Sequence, residues 1–183
     1  SRSLLAGIES IVGNLLQYPY GCIEQTISST LPNAVVKKFS QLFDIGIDKK
    51  VLQANLEGGL KRIQSMQVAD GGFSYWPGGI DSDAHITPYA VLALQEMKDL
   101  GVDVPSDLLT KSRQFIENQV KSLSGKISKE RLSQLVEEAH ALSKLNSEQF
   151  LDARTLIKNR LSELSMHEKI VYGFLQKYLY VLL

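Results

Sequence analysis

Apolar residues Leu4, Leu5, Ile8, Ile11, Val12, Leu15 and Leu16 recur at intervals of three and four, which lines one face of a helix and leaves Glu9 and Asn14 off it. The helix should end near Gln17, because Pro19 disfavours helical backbone at Tyr18, and "YPYG" reads as a turn. A second helix is expected from around Cys22, broken or restarted at Pro32, where a missing N–H and a ring clash oppose continuation. Its remainder, Ala34 to Phe43, stops before Gly46. Asp48 is placed to cap a helix carrying Val51, Leu52, Leu56, Leu60, Ile63 and Met66. Gly58 and Gly59 in its middle each lower helix propensity by about 1 kcal/mol relative to alanine, so they mark close helix packing.

A loop rich in Gly, Asp and aromatics, "ADGGFSYWPGGIDSDAH", follows. Helical periodicity returns with Val91, Leu92, Leu94, Met97 and Leu100, and Gly101 is placed as a C-terminal cap. Ser106 opens a helix through Leu108, Leu109, Phe115 and Ile116. Further stripes run through Leu132, Leu135, Val136, Ala139 and Leu142, and through Phe150, Leu151, Leu156, Ile157, Leu161 and Leu164. Ser165 and Glu168 form a capping box for the last helix. About eight helices with short links and no alternating strand pattern predict an all-α chain of antiparallel helical hairpins.

The 183 residues, 44% hydrophobic and 22% charged, suffice for one domain with a substantial core. Twenty basic residues balance twenty acidic ones, which argues against nucleic acid or an anionic membrane as partner. No apolar run approaches the roughly 20 residues of a membrane span, and "SRSLLAGIESIVGNLL" lacks a signal peptide's cleavage pattern. The chain is therefore expected to begin within a domain or after processing. Because it ends in "KYLYVLL" without a cap or polar tail, the domain is expected to continue past Leu183.

Its single cysteine, Cys22, sits three residues before Gln25 in "YPYGCIEQ". On a helical turn such residues are neighbours, with Cβ atoms roughly 5–6 Å apart, so sulfur and carboxamide carbon can meet and expel ammonia to form an internal thioester. Gly21 leaves the sulfur unobstructed, Tyr18 and Tyr20 offer apolar faces to keep water away, and a helix N-terminus favours thiolate. Glu24 adjoins both groups; it reads as a proton-transfer residue or as a helix-dipole partner. Spacing alone leaves the alternative open that Cys22 is an inert buried thiol.

"YPYGCIEQTISSTLPN" resembles the thioester region of the alpha-2-macroglobulin and complement family, whose core reads Gly-Cys-Gly-Glu-Gln. The departure is Ile23 for the central glycine, which with the Tyr-Pro-Tyr-Gly lead-in points to the bacterial branch. "DGGFSYWPGG" and "HITPYAVLAL" resemble the family's Gly-Gly-Phe loop and the helix after it, with Pro88 for the usual alanine. The likeness runs from about Ser1 to Val120, and beyond that only the helical pattern speaks.

The resemblance implies an α/α toroid of terpenoid cyclase-like hairpins, here an incomplete ring. It implies Cys22 as thioester sulfur, Gln25 as acyl carbon and protease lysine amines as covalent partners. It also implies companion domains in a parent protease inhibitor, a periplasmic or extracellular location, no cofactor and no turnover. Some relatives use a histidine in a later loop. That loop should fall at "SLSGKISK", Ser122 to Lys129, which has none; His140, on a regular helical stripe, is the nearest.

His85 and His167 read as surface or capping residues and do not make a zinc site. Phe73, Tyr75 and Trp76 read as pins for their loop, and "KDLGVD" and "KISKER" as solvated faces. Two rival readings remain. One is an α/α-toroid enzyme of terpene cyclase or prenyltransferase type, using the acidic cluster "DSDAH"; the other is an interaction domain that never forms the thioester.

Overall fold

A computed structural model describes residues 19–43 and 46–177. The apolar stripe from Leu4 to Leu16, Tyr18 and the terminal apolar run after Lys177 lie outside the described residues. The described residues form seven α-helices: α1 Ile23–Ser40, α2 Lys49–Gln64, α3 Ile86–Asp99, α4 Ser106–Lys121, α5 Lys129–Lys144, α6 Gln149–Lys158 and α7 Met166–Lys177. A 3-10 turn, Leu161–Glu163, separates the last two. No strand occurs among the described residues; the loop between α2 and α3 carries only the isolated bridges Gln67 to Phe73 and Phe73 to Asp83.

The helices make two layers. The odd-numbered helices α1, α3, α5 and α7 pack in succession, while α2, α4 and α6 lie alongside them. The connections between successive helices are short except for residues 65–85 between α2 and α3. Ile23, Ile27 and Ala34 of α1 meet the layer's core with Leu52, Leu56 and Ile63 of α2 and Val91, Leu94 and Met97 of α3. Helix α5 touches α3, α4, α6 and α7, which explains why Leu132, Leu135, Val136, Ala139 and Leu142 are all fully buried.

Local signals in the sequence place most boundaries. Asp48 accepts from Lys50 N at 2.8 Å and Val51 N at 3.3 Å, capping α2. Gly101, at φ +88°, ends α3, with Val102 N bonded to the Met97 carbonyl at 3.0 Å. Ser165 and Glu168 form the reciprocal box that starts α7.

Two expectations are corrected. Pro32 does not break α1, which is continuous from Ile23 to Ser40. The carbonyl that Pro32 leaves without its helical donor belongs to Ser28, an exposed residue, while Thr30, Asn33 and Ala34 on either side of the proline are buried. Tertiary burial thus outweighs the local penalty of about 3 kcal/mol. The stripe from Phe150 to Leu164 is not one helix either. Arg160, at φ −131°, turns the chain where its guanidinium donates to the Ile127 carbonyl at 2.8 Å and to Glu163. Within α6 the buried face is Phe150, Ala153 and Ile157, which leaves Leu151 and Leu156 facing outward.

Gly59 fulfils the expectation of close packing. A Cβ there would lie 2.1 Å from Thr30 Oγ1 and 2.8 Å from Thr30 Cβ, so the α1–α2 separation depends on the missing side chain. Despite better helix propensity, Gly59→Ala is expected to destabilise by about 1–3 kcal/mol, read as a lowered denaturant midpoint at unchanged m-value.

Glu138 is 1% exposed on α5, held by Arg131 Nη2 at 2.9 Å and Gln134 Nε2 at 3.1 Å. Burial dominates and pushes its carboxyl up to about 6. Since the folded chain takes up this proton at higher pH than the unfolded chain, the contribution to stability is present in acid and lost as pH rises through 6. Measured against the parent, Glu138→Gln should therefore gain about 1–2 kcal/mol between about pH 4.5 and about pH 7.5 in paired denaturation curves.

Candidate functional site

Cys22 is the N-cap residue of α1 and Gln25 is its third helical residue. The two make a capping box in which sulfur and carboxamide replace the usual hydroxyl and carboxylate. Cys22 N donates to Gln25 Oε1 at 3.0 Å, and the Cys22 side chain faces the Gln25 N–H, the weaker half of the box because thiol sulfur accepts poorly. The side chains expected to react are therefore folded toward each other by the helix start itself.

Gly21 makes this possible. It sits at φ +91°, and a Cβ on it would stand 1.9 Å from Gln25 Oε1 and 2.8 Å from Gln25 Cδ. The carboxamide occupies the space where any other residue would place its side chain. The glycine serves the glutamine, a tighter constraint than clearing the approach to sulfur.

Three further groups hold the turn. Arg62, in the last turn of α2, donates from Nη2 at 2.7 Å and Nε at 3.2 Å to the Gly21 carbonyl. The Tyr75 carbonyl accepts from Ile23 N at 3.0 Å, satisfying one of the helix's orphan donors. Thr26 Oγ1 donates to the Cys22 carbonyl at 2.9 Å. Ile23, the departure from the family's glycine, is fully buried and anchors the first turn in the core.

The loop that delivers Tyr75 is itself pinned. Phe73 is fully buried; its N–H donates to Thr87 Oγ1 at 2.9 Å and its carbonyl accepts from Asp83 N at 2.7 Å. Tyr75 and Trp76 are exposed, so of the three aromatics only Phe73 pins the loop by burial. Partial desolvation first, then the nearby Glu24, Asp83 and Cys22, raise the Tyr75 phenol above its ordinary value. The phenol, Glu24 and Cys22 therefore share one neighbourhood.

A sequence profile of the A-macroglobulin TED domain matches residues 3–133. The chain belongs to that family. An alpha-2-macroglobulin of Rickettsia conorii is 35% identical over 120 residues, 64% of this chain and 6% of the relative. One of Escherichia coli is 32% identical over 111 residues, 58% of this chain and 7% of the relative. The chain thus spans a small fraction of these relatives' length.

The TED fold, an α/α toroid, is shared with native Escherichia coli alpha-2-macroglobulin solved from domain MG7 to the C-terminus, at TM-score 0.72 and 23% identity over 91% of this chain and 28% of that one. It is also shared with Salmonella alpha-2-macroglobulin reacted with methylamine, at TM-score 0.71 and 22% identity over 91% of this chain and 11% of that one.

Within this TED domain, Cys22, Gln25 and Gly21 come together as one unit, while Tyr20 is 70% exposed. Gln25 is exposed and Cys22 half-buried, so the described residues leave the pair open to solvent. Glu24 is exposed in the first turn of α1. His140 lies in the interior of α5, where burial lowers its pKa, and the loop between α4 and α5 falls at residues 122–128 as expected.

The "DSDAH" cluster has a structural use: Asp83 Oδ1 accepts from His85 N and Ile86 N to start α3, and Ser82 donates to Asp70. Among the described residues no group of His, Cys, Asp and Glu is arranged to hold a metal ion. None of their helices is long and apolar enough to cross a membrane. Sequence reading missed Arg62 and the Tyr75 carbonyl. The only cue to Arg62 was its place three residues after Gly59, on the face that packs on α1.

Proposed function

We propose that this TED domain carries an internal thioester between Cys22 Sγ and Gln25 Cδ and serves a bacterial alpha-2-macroglobulin as a single-use covalent protease trap. The observation that carries the reading is the folded-back carboxamide of Gln25, bonded to Cys22 N and lying in space that only a glycine at 21 leaves open. An attacking protease's lysine amine adds to the acyl carbon of Gln25; the new C–N bond replaces the C–S bond, and Cys22 is released as a thiol. Each site reacts once, so the domain inhibits and does not turn over. The companion domains of the parent protein and a periplasmic or extracellular setting belong to the same reading. A Salmonella protein of this fold was crystallised after reaction with methylamine, which fits the proposed chemistry.

Intact mass of the mature full-length protein provides the test. The parent should be lighter than its sequence by one ammonia, and methylamine should add one methylamine and expose one titratable thiol. Cys22→Ala should show neither change. A mature parent at full sequence mass that ignores methylamine leaves only the interaction-domain reading.

A further inference from the structure

We propose that Arg62 is a positioning residue for thioester formation and opening, acting through the Gly21–Cys22 peptide as the donor that stabilises the oxyanion on Gln25. The inference rests on the thioester reading and adds to it a group 41 residues away in sequence.

The Gly21 carbonyl and the Cys22 N–H belong to one peptide unit. Arg62 donates twice to the carbonyl end, at 2.7 and 3.2 Å, and the N–H end donates to Gln25 Oε1 at 3.0 Å. A guanidinium on the oxygen withdraws electron density across the amide, making the N–H a stronger donor; hydrogen bonds in such a chain reinforce one another. Gln25 Oε1 is also the atom on which charge develops.

When Cys22 Sγ attacks Gln25 Cδ, an S–C bond forms and the carbonyl π pair moves to Oε1. Collapse of that intermediate breaks the C–N bond, and nitrogen leaves as ammonia with the thiol proton. Opening by an amine passes through the same oxyanion: C–N forms, C–S breaks, and sulfur takes up a proton. A preorganised donor aimed at that oxygen lowers both barriers.

The reach of Arg62 depends on packing. Gly59, one turn earlier on α2, lets the helix backbone close on Thr30 of α1. A guanidinium presents a planar fork of two donors to the carbonyl, whereas a lysine ammonium lacks the fork but keeps the positive charge and N–H donors that polarise it.

Arg62→Met and Arg62→Lys in the full-length protein test this. Three readouts are taken: the fraction lighter by one ammonia, the methylamine opening rate, and the infrared carbonyl band that disappears on methylamine treatment. Arg62→Met is expected to form less thioester or to open it about tenfold more slowly, with the residual band shifted to higher frequency as its hydrogen bond weakens. Arg62→Lys should recover most of the rate. A parent without ammonia loss defeats the thioester reading itself. A parent that loses ammonia, beside Arg62→Met with the same yield, rate and band position, defeats the role of Arg62 alone. A shared drop in Arg62→Met and Arg62→Lys, with the band unmoved, also defeats it, because packing and not polarisation would then account for the loss.

Discussion

Gly21→Ala is expected to cut methylamine incorporation at least about a hundredfold in the full-length protein, since displacement of a reacting group by about an ångström has effects of that size. The alanine Cβ would stand 1.9 Å from Gln25 Oε1, so the carboxamide must swing away from Cys22 and abandon its bond to Cys22 N. At φ +91° the alanine backbone is strained as well, by about 1–3 kcal/mol. Gly21→Asn separates the two effects. Asparagine tolerates positive φ better than alanine yet carries the same Cβ, so it should be as inactive while being less destabilised. If the asparagine variant forms the adduct at the parental rate, the space at residue 21 does not matter and the folded-back carboxamide is not the reactive arrangement. Mass spectrometry for ammonia loss and a thiol titration before and after methylamine give the result directly.

The largest loss of stability is expected from Phe73→Ala, about 3–5 kcal/mol, because the ring is fully buried and truncation leaves a cavity beneath the loop. The effect extends to the site. Phe73 fixes the loop that brings the Tyr75 carbonyl to Ile23 N, so protection of the Ile23 amide from hydrogen exchange should fall by more than the global stability change requires. Trp76→Ala, in the same loop but exposed, should change stability by no more than about 0.5 kcal/mol. Equal effects of the two truncations in denaturant titrations would refute the assignment of Phe73 as the sole anchor of the three aromatics.

How far the sequence was legible follows the range of the interactions. Asp48 on Val51, Ser165 with Glu168, and Cys22 with Gln25 all close within three residues, and each was visible from spacing because a helical turn fixes which neighbours meet. Pro32 misled for the complementary reason. Its penalty is local, but burial of α1 on either side of it is a property of the assembled layers. The split of Phe73 from Tyr75 and Trp76 has the same origin, since composition marks aromatics without saying which one faces the core.

The sequence by itself determined an all-α chain, most helix boundaries, and the thiol and carboxamide as neighbours at a helix start, because hydrophobic period and cap chemistry act over one turn. Only the tertiary structure decided that Gly59 brings α2 against Thr30, that Arg62 thereby grips the Gly21 carbonyl, and that a distant loop supplies Tyr75 to the first turn. These contacts join residues far apart in the chain, 41 positions in the case of Arg62 and Gly21, and their distances are set by how the layers close. A hydrogen bond across such a span exists only once packing has brought donor and acceptor within reach.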